Sequence, residues 1–215
     1  MLGGMVGDLA RVYLAGGPMM HPITLCSVVA VAVVVYKLVQ FRRLQIDARD
    51  LFGQVRQELL NGRVKEAAEL CERRPGPASS VLHAGILKIG SAPEQVESSM
   101  ETTALYELAQ LEGKLGLLAT IANLAPVLGF LGTVWGMIVA FDVIHARGLS
   151  DPGRVAGGIA QALYTTAWGL IVAAFALPSH NYLAGRVAAQ ARSLEMAGNV
   201  LQETFADMAR MGTKA

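Results

Sequence analysis

A small set of uncharged polar side chains stands inside stretches otherwise built from Ala, Gly, Leu, Ile and Val: Asn123, Thr133, Gln161, Thr165 and Thr166. Hydroxyls and amides donate and accept hydrogen bonds and can hold waters in line, but carry no net charge near neutral pH. Residues 115–141 and 155–185 contain no Asp, Glu, Lys or Arg. A proton path through lipid normally needs a group that alternates between charged and neutral forms. Any carboxylate for such a path must therefore come from another chain. The structural alternative for each threonine is a bond to a carbonyl of its own helix.

Glycine spacing is the second signal. On a helix, Ala125, Gly129, Gly132, Gly136 and Ala140 share one face, and Gly132 and Gly136 form a GxxxG pair. Gly158, Ala162, Thr166, Gly169 and Ala173 make a similar stripe further on. In lipid such stripes let helices approach closely, because packing replaces the missing hydrophobic drive. The two helices are expected to pack against each other or against copies of themselves.

Other chemistries find little support. His21, His83, His145 and His180 share no metal-ligand spacing with one another or with Cys or carboxylates, and no P-loop, GxSxG, CxxC or HExxH is present. No metal, cofactor or enzymatic activity is expected. A net charge of +1 argues against nucleic acid as a partner. Cys26 and Cys71 read as small buried hydrophobes rather than a disulfide.

The elements that must position these residues are membrane helices. The 215-residue chain is 53% hydrophobic, with a mean hydropathy of +0.43, against about 45–50% apolar in soluble domains. Three uncharged stretches approach or exceed the roughly 20 residues that a span requires. The first, from about Pro22 to Tyr36, is expected to be an uncleaved span closed by the basic "YKLVQFRRL", with Lys37 snorkelling to the interface. Arg42, Arg43, Arg49 and Arg56 follow it, and Arg186, Arg192 and Arg210 follow the third stretch, so the middle region and C-terminus read as cytoplasmic and the N-terminus as periplasmic.

The resulting expectation is an all-α, three-span membrane protein with long cytoplasmic helical extensions. Residues 1–19 form an outer interfacial helix, 20–41 the first span, 42–114 a cytoplasmic helical region, 115–144 the second span, 145–154 an outer loop, 155–185 the third span and 186–215 a cytoplasmic helix. In the cytoplasmic region, Leu51, Val55, Leu59 and Leu60 make one apolar face, Val64, Ala67, Ala68 and Cys71 a second, and Val81, Ile86 and Leu87 a third. Ser91 is the expected N-cap of a helix running without a break from about Pro93 to Phe141, with Gly113 and Gly116 as its weak points.

Four quoted stretches carry a resemblance. "GGPMMHPITLCSVVAVAVVVYKL", "CERRPGPASSVLHAGI", "LATIANLAPVLGFLGTVWGMIVAF" and "GGIAQALYTTAWGLIVAAFALPSHNYL" together resemble the MotA/TolQ/ExbB proton channel family, more its ExbB and TolQ branches than the flagellar one. The resemblance implies a homopentameric ring in a bacterial inner membrane, surrounding single-span partners of the ExbD or TolR kind. It implies that the partner's membrane aspartate sits against Thr133 and Thr166, and that proton flow drives a TonB/TolA-like or motility effector. Thr165, Gln161 and Asn123 would add to the pore wall, and Gly129, Gly132, Gly136, Gly158 and Gly169 would serve packing. Two departures stand out: Gln161 replaces the Glu usual in the family, and Tyr36–Lys37 replaces an acidic residue near the end of the first span. The competing reading is a non-conducting scaffold or permease subunit of a transporter.

Overall fold

The computed structural model describes residues 12–43, 48–148 and 150–212, and all their regular elements are helices. After a helical turn at residues 12–15, these are α1 (Met20–Arg43), α2 (Ala48–Leu60), α3 (Val64–Arg73), α4 (Pro77–Ile86), α5 (Pro93–Glu112), α6 (Leu115–Arg147) and α7 (Pro152–Gly212). Among the described residues, three helical stretches are long and apolar enough to cross a membrane: Met20–Arg42 in α1, Pro93–Arg147, which holds α5 and α6, and Pro152–Met208 in α7. The expected interfacial helix falls mostly on residues 1–11, outside the described residues.

The chain divides into two compact units. One comprises Met1–Tyr36 and Lys114–Tyr182; the other comprises Lys37–Gly113 and Leu183–Ala215.

In the first unit, α1, α6 and the front of α7 bury small residues and expose large ones. Ala125, Gly129, Gly132, Gly136 and Ala140 are buried, whereas Val127, Phe130, Leu131, Ile138 and Phe141 on the same helix are exposed. Leu163, Leu170, Ile171 and Phe175 are exposed on α7. A soluble core shows the reverse, and lipid solvates such an apolar belt. Pro126 and Pro178 lie inside α6 and α7 without ending them, as membrane helices tolerate. Residues 148–151 join α6 to α7. Asp151 starts α7 by accepting the Arg154 backbone N–H at 3.3 Å and pairing with the Arg154 side chain at 3.2 Å.

The second unit is a helical bundle with its own apolar core. Leu51, Phe52, Val55 and Leu59 of α2, Ala67 and Cys71 of α3, Val81, Leu82 and Ile86 of α4, Val96 and Met100 of α5, and Leu194, Ala197 and Leu201 of α7 meet there. The first two expected apolar faces therefore exist, with Leu60, Val64 and Ala68 at their edges. On the third, Val81 and Ile86 are buried, but Leu87 lies past the end of α4 and is exposed. Gly85 lets α4, α5 and α7 close up: a methyl there would sit 2.7 Å from the Met100 Sδ and overlap Leu201.

Three expectations need correction. The helix predicted from Pro93 to Phe141 is two helices. Gly113 turns extended (ψ 137°) and Lys114 adopts the left-handed region (φ 70°), which ends α5 and starts α6. The N-cap of α5 is Ala92, not Ser91, because Pro93 at the first helical position forces its predecessor out of the helical region (φ −59°, ψ 142°). Lys37 does not snorkel outward. It is 1% exposed, and its Nζ donates to the Leu111 carbonyl at 2.7 Å and to Gln40 Oε1 at 3.1 Å. Leu111 is in the last turn of α5, where carbonyls have no partner within the helix, so a buried cation satisfies one of them.

Candidate functional site

The site is the seam between α6 and α7 in the first unit. Gly136 faces Gly158 and Ala162 while Gly129 faces Thr165 and Thr166, so the two helices run antiparallel and their small residues meet in opposite order. A methyl on Gly136 would lie 2.7 Å from both the Gly158 carbonyl oxygen and the Ala162 nitrogen. One on Gly129 would lie 3.1 Å from the Thr165 carbonyl oxygen and 3.2 Å from the Thr166 Cα. One on Gly169 would lie 2.6 Å from the Ala125 carbonyl oxygen. The obstacles are backbone atoms, so Gly136 and Gly169 admit only hydrogen, and a methyl at Gly129 would fit only if the facing backbone gave by a few tenths of an ångström. The two stripes pack against each other within one chain.

The buried ridge of α7 runs Gly158, Ala162, Thr165, Gly169, Val172 and Ala176, with the predicted Thr166 and Ala173 half-buried on its flank. Steps of four and three must alternate to hold one face of a helix with 3.6 residues per turn. The predicted stripe shares Gly158, Ala162 and Gly169 with this ridge, and its two successive steps of four put Thr166 on the flank, still against Gly129.

That shift separates the two adjacent threonines. Thr165 is 0% exposed and fills the notch at Gly132, where a methyl would overlap its hydroxyl and sit 2.9 Å from its Cγ2. Its hydroxyl donates within its own helix, to the carbonyls of Ala162 at 2.9 Å and Gln161 at 3.2 Å. Thr166 is half-buried and reaches across: its Oγ1 lies 3.3 Å from the Gly129 carbonyl oxygen of α6 and 3.2 Å from the Ala162 carbonyl oxygen.

The remaining predicted residues surround this pair unequally. Thr133, half-buried and one turn beyond Gly129, donates to the Phe130 carbonyl at 2.6 Å, leaving its oxygen lone pairs to accept. Asn123 is exposed and donates to Ala119 at 3.1 Å, apart from the Thr165–Gly132 contact. Gln161, half-buried, packs its side-chain amide against Gly17 in the turn before α1. Sequence reasoning missed that contact; its only trace was the run Gly16–Gly17–Pro18. It also missed Trp168, whose indole N–H is buried on α7 without an acceptor among the described residues.

Residues 73–196 match the sequence profile of the MotA/TolQ/ExbB proton channel family. The chain is 28% identical over 192 residues to an ExbB-homologous biopolymer transport protein of Methanothermobacter thermautotrophicus, covering 88% of this chain and 68% of that one. It is 35% identical over 169 residues to an ExbB-like biopolymer transport protein of Synechocystis, covering 77% and 66% respectively. Against the Tol-Pal system protein TolQ of Haemophilus influenzae it is 41% identical over 81 residues, 38% of this chain and 36% of that protein. The aligned region is thus about two thirds of the length of the ExbB-type relatives and about a third of TolQ.

Proposed function

The chain belongs to the MotA/TolQ/ExbB proton channel family, and from that premise we propose that it is the ring-forming subunit of a proton-motive-force motor. Copies assemble as a homopentamer in a bacterial cytoplasmic membrane, with the N-terminus periplasmic and the C-terminus cytoplasmic. The ring encloses single-span partners of the ExbD or TolR kind, each bringing a membrane aspartate. The work is of the biopolymer-transport or Tol-Pal type named for the relatives, passed on through a TonB- or TolA-like effector. The task is ion movement coupled to motion rather than bond chemistry.

One observation carries this reading. Thr133 and Thr166 offer hydroxyls beside a glycine-built seam, in helical stretches that contain no Asp, Glu, Lys or Arg. A hydroxyl donates to a carboxylate and accepts from a carboxylic acid, so it serves the partner's aspartate in both of its states. A fixed cation would hold the carboxylate ionised, and a fixed anion would hold it protonated. A neutral wall lets both states occur as the partner moves. Thr166 and Thr133 take the contact with the aspartate. Gln161 and Asn123 hold waters along the approach. Thr165 and Gly129, Gly132, Gly136, Gly158 and Gly169 keep the two helices in register.

The test is proton uptake by vesicles containing the ring and its partner. Thr133→Val and Thr166→Val rings should assemble yet lose proton-driven uptake, and rings without partner should not leak. Full uptake by either valine variant overturns the proposal.

A further inference from the structure

The chain enters α1 through a turn whose shape is unusual in one respect. Gly17 has φ +65°, a left-handed conformation that L side chains rarely adopt, and its carbonyl accepts the Met20 N–H at 3.1 Å. The turn is tied back to the helix it starts. The Tyr13 hydroxyl meets His21 Nδ1, and the two rings stand edge-on with centroids 5.4 Å apart. On its neighbour Gly16, a methyl would lie 2.9 Å from the Met20 Sδ.

The bare Cα of Gly17 faces the side-chain amide of Gln161. A methyl at position 17 would overlap Nε2 and lie 2.8 Å from Cδ and 3.4 Å from Oε1. This contact differs in kind from those of the α6–α7 seam. At Gly129, Gly136 and Gly169 the obstacle is backbone; here it is the far end of a flexible side chain, which would move first. Among the described residues the Gln161 amide makes no hydrogen bond, so shape rather than bonding fixes its orientation, and both of its N–H groups and its carbonyl stay available.

We propose that Gly17 is a positioning residue for Gln161: the outer turn presses its bare Cα onto the amide and sets the direction in which that amide meets the ion path. The inference rests on Gln161 lining the path, as proposed above. A backbone reason alone accounts for the positive φ, since any exposed turn of this type favours glycine. It does not account for an amide held against the same atom.

Gly148 supplies the control. It has φ +62°, but a methyl there would have nothing within 4 Å. Gly148→Ala therefore strains a positive-φ turn of its own, with ψ −150°, without displacing a neighbour. Two measurements follow. The first is the side-chain amide resonance of Gln161 in protein labelled with ¹⁵N-glutamine, identified by its loss in Gln161→Ala. The second is proton uptake by vesicles holding the chain with its single-span partner.

Gly17→Ala should shift the Gln161 resonance and lower uptake, by up to about a hundredfold, the cost of a misplacement of about 1 Å. Gly148→Ala should change neither. In a Gln161→Ala background, Gly17→Ala should have no further effect on uptake, as coupled residues require. An unmoved resonance overturns the inference, whatever the threonine variants do. So does a moved resonance with unaltered uptake, or an equal loss of uptake with and without the Gln161 side chain. Failure of the path reading itself is seen separately, as full uptake by Thr133→Val or Thr166→Val.

Discussion

The Thr166 hydroxyl lies 3.3 Å from the Gly129 carbonyl oxygen across the α6–α7 seam, and 3.2 Å from the Ala162 carbonyl of its own helix. One hydrogen therefore chooses between two acceptors on two helices. Valine matches threonine in shape but removes that hydrogen, and a net hydrogen bond contributes about 1 kcal/mol. Thr166→Val should lower the thermal midpoint of the purified protein only slightly while abolishing proton uptake with the partner. Thr166→Ser should restore most of the uptake. A valine variant as active as the parent would mean that the hydroxyl serves packing alone.

The glycines of the seam should differ in their tolerance of alanine according to what a methyl meets. At Gly136, Gly158 and Gly169 it meets backbone within 3 Å, so the helices must part; overpacking of this kind costs about 1–3 kcal/mol or more. At Gly132 it meets the Thr165 side chain, which is buried and β-branched and has little room to turn. At Gly157 it meets nothing within 4 Å, and a helical Gly→Ala change there should be neutral or stabilising. Thermal unfolding in detergent should rank Gly157→Ala above Gly132→Ala, and Gly132→Ala above Gly136→Ala and Gly169→Ala. A flat series would show that the helices are not in the contact described.

Much of this was legible from residue types at fixed spacing. Periodicity placed the small-residue face of α6 residue by residue, because a one-sided glycine stripe has a single way to be buried. On α7 it found Gly158, Ala162 and Gly169 but put Thr166 where Thr165 is buried, because only the alternation of steps separates the two adjacent threonines. The break at Gly113–Lys114 was harder to see. Glycine marked a weak point, but a left-handed lysine carries no sequence signature. Contacts between distant segments were invisible, among them Gly17 on Gln161 and Lys37 on Leu111. Composition says that a lysine near a span end has a charge to place; it does not name a carbonyl 74 residues away.

Lys37 makes that point testable. Its Nζ satisfies the Leu111 carbonyl at 2.7 Å, in the last turn of α5. Lys37→Met keeps the aliphatic length but leaves that acceptor without this donor, and a buried polar group left unsatisfied costs about 1–3 kcal/mol. The variant should unfold at a clearly lower temperature than the parent, with amide exchange accelerated first in the last turn of α5. Lys114→Met is the comparison, since Lys114 sits over the Tyr36 ring, 3.9 Å from its centroid, and is itself exposed. It should cost less, because an exposed cation–π contact contributes about 0.5–1 kcal/mol. Equal losses would remove the special role of the Lys37 contact.

Cys71 gives the alkaline limb of stability a specific origin. The thiol is 3% exposed in the core of the second unit, and burial, with Glu72 adding to it, pushes its pKa from the ordinary 9.0 up to about 11. The unfolded chain therefore releases this proton first as pH rises. The sign follows: the contribution is fully present below pH 9.0 and is lost as pH climbs from there toward about 11. Cys71→Ala, which has no proton to release, should lose less thermal stability than the parent as pH rises from 9.0 toward about 11. The same burial should keep Cys71 unreactive to maleimide at pH 8 in the folded protein, with labelling appearing only on denaturation. Rapid labelling of Cys71 in the native state, or parallel pH profiles for the two proteins, would rule out the buried-thiol origin.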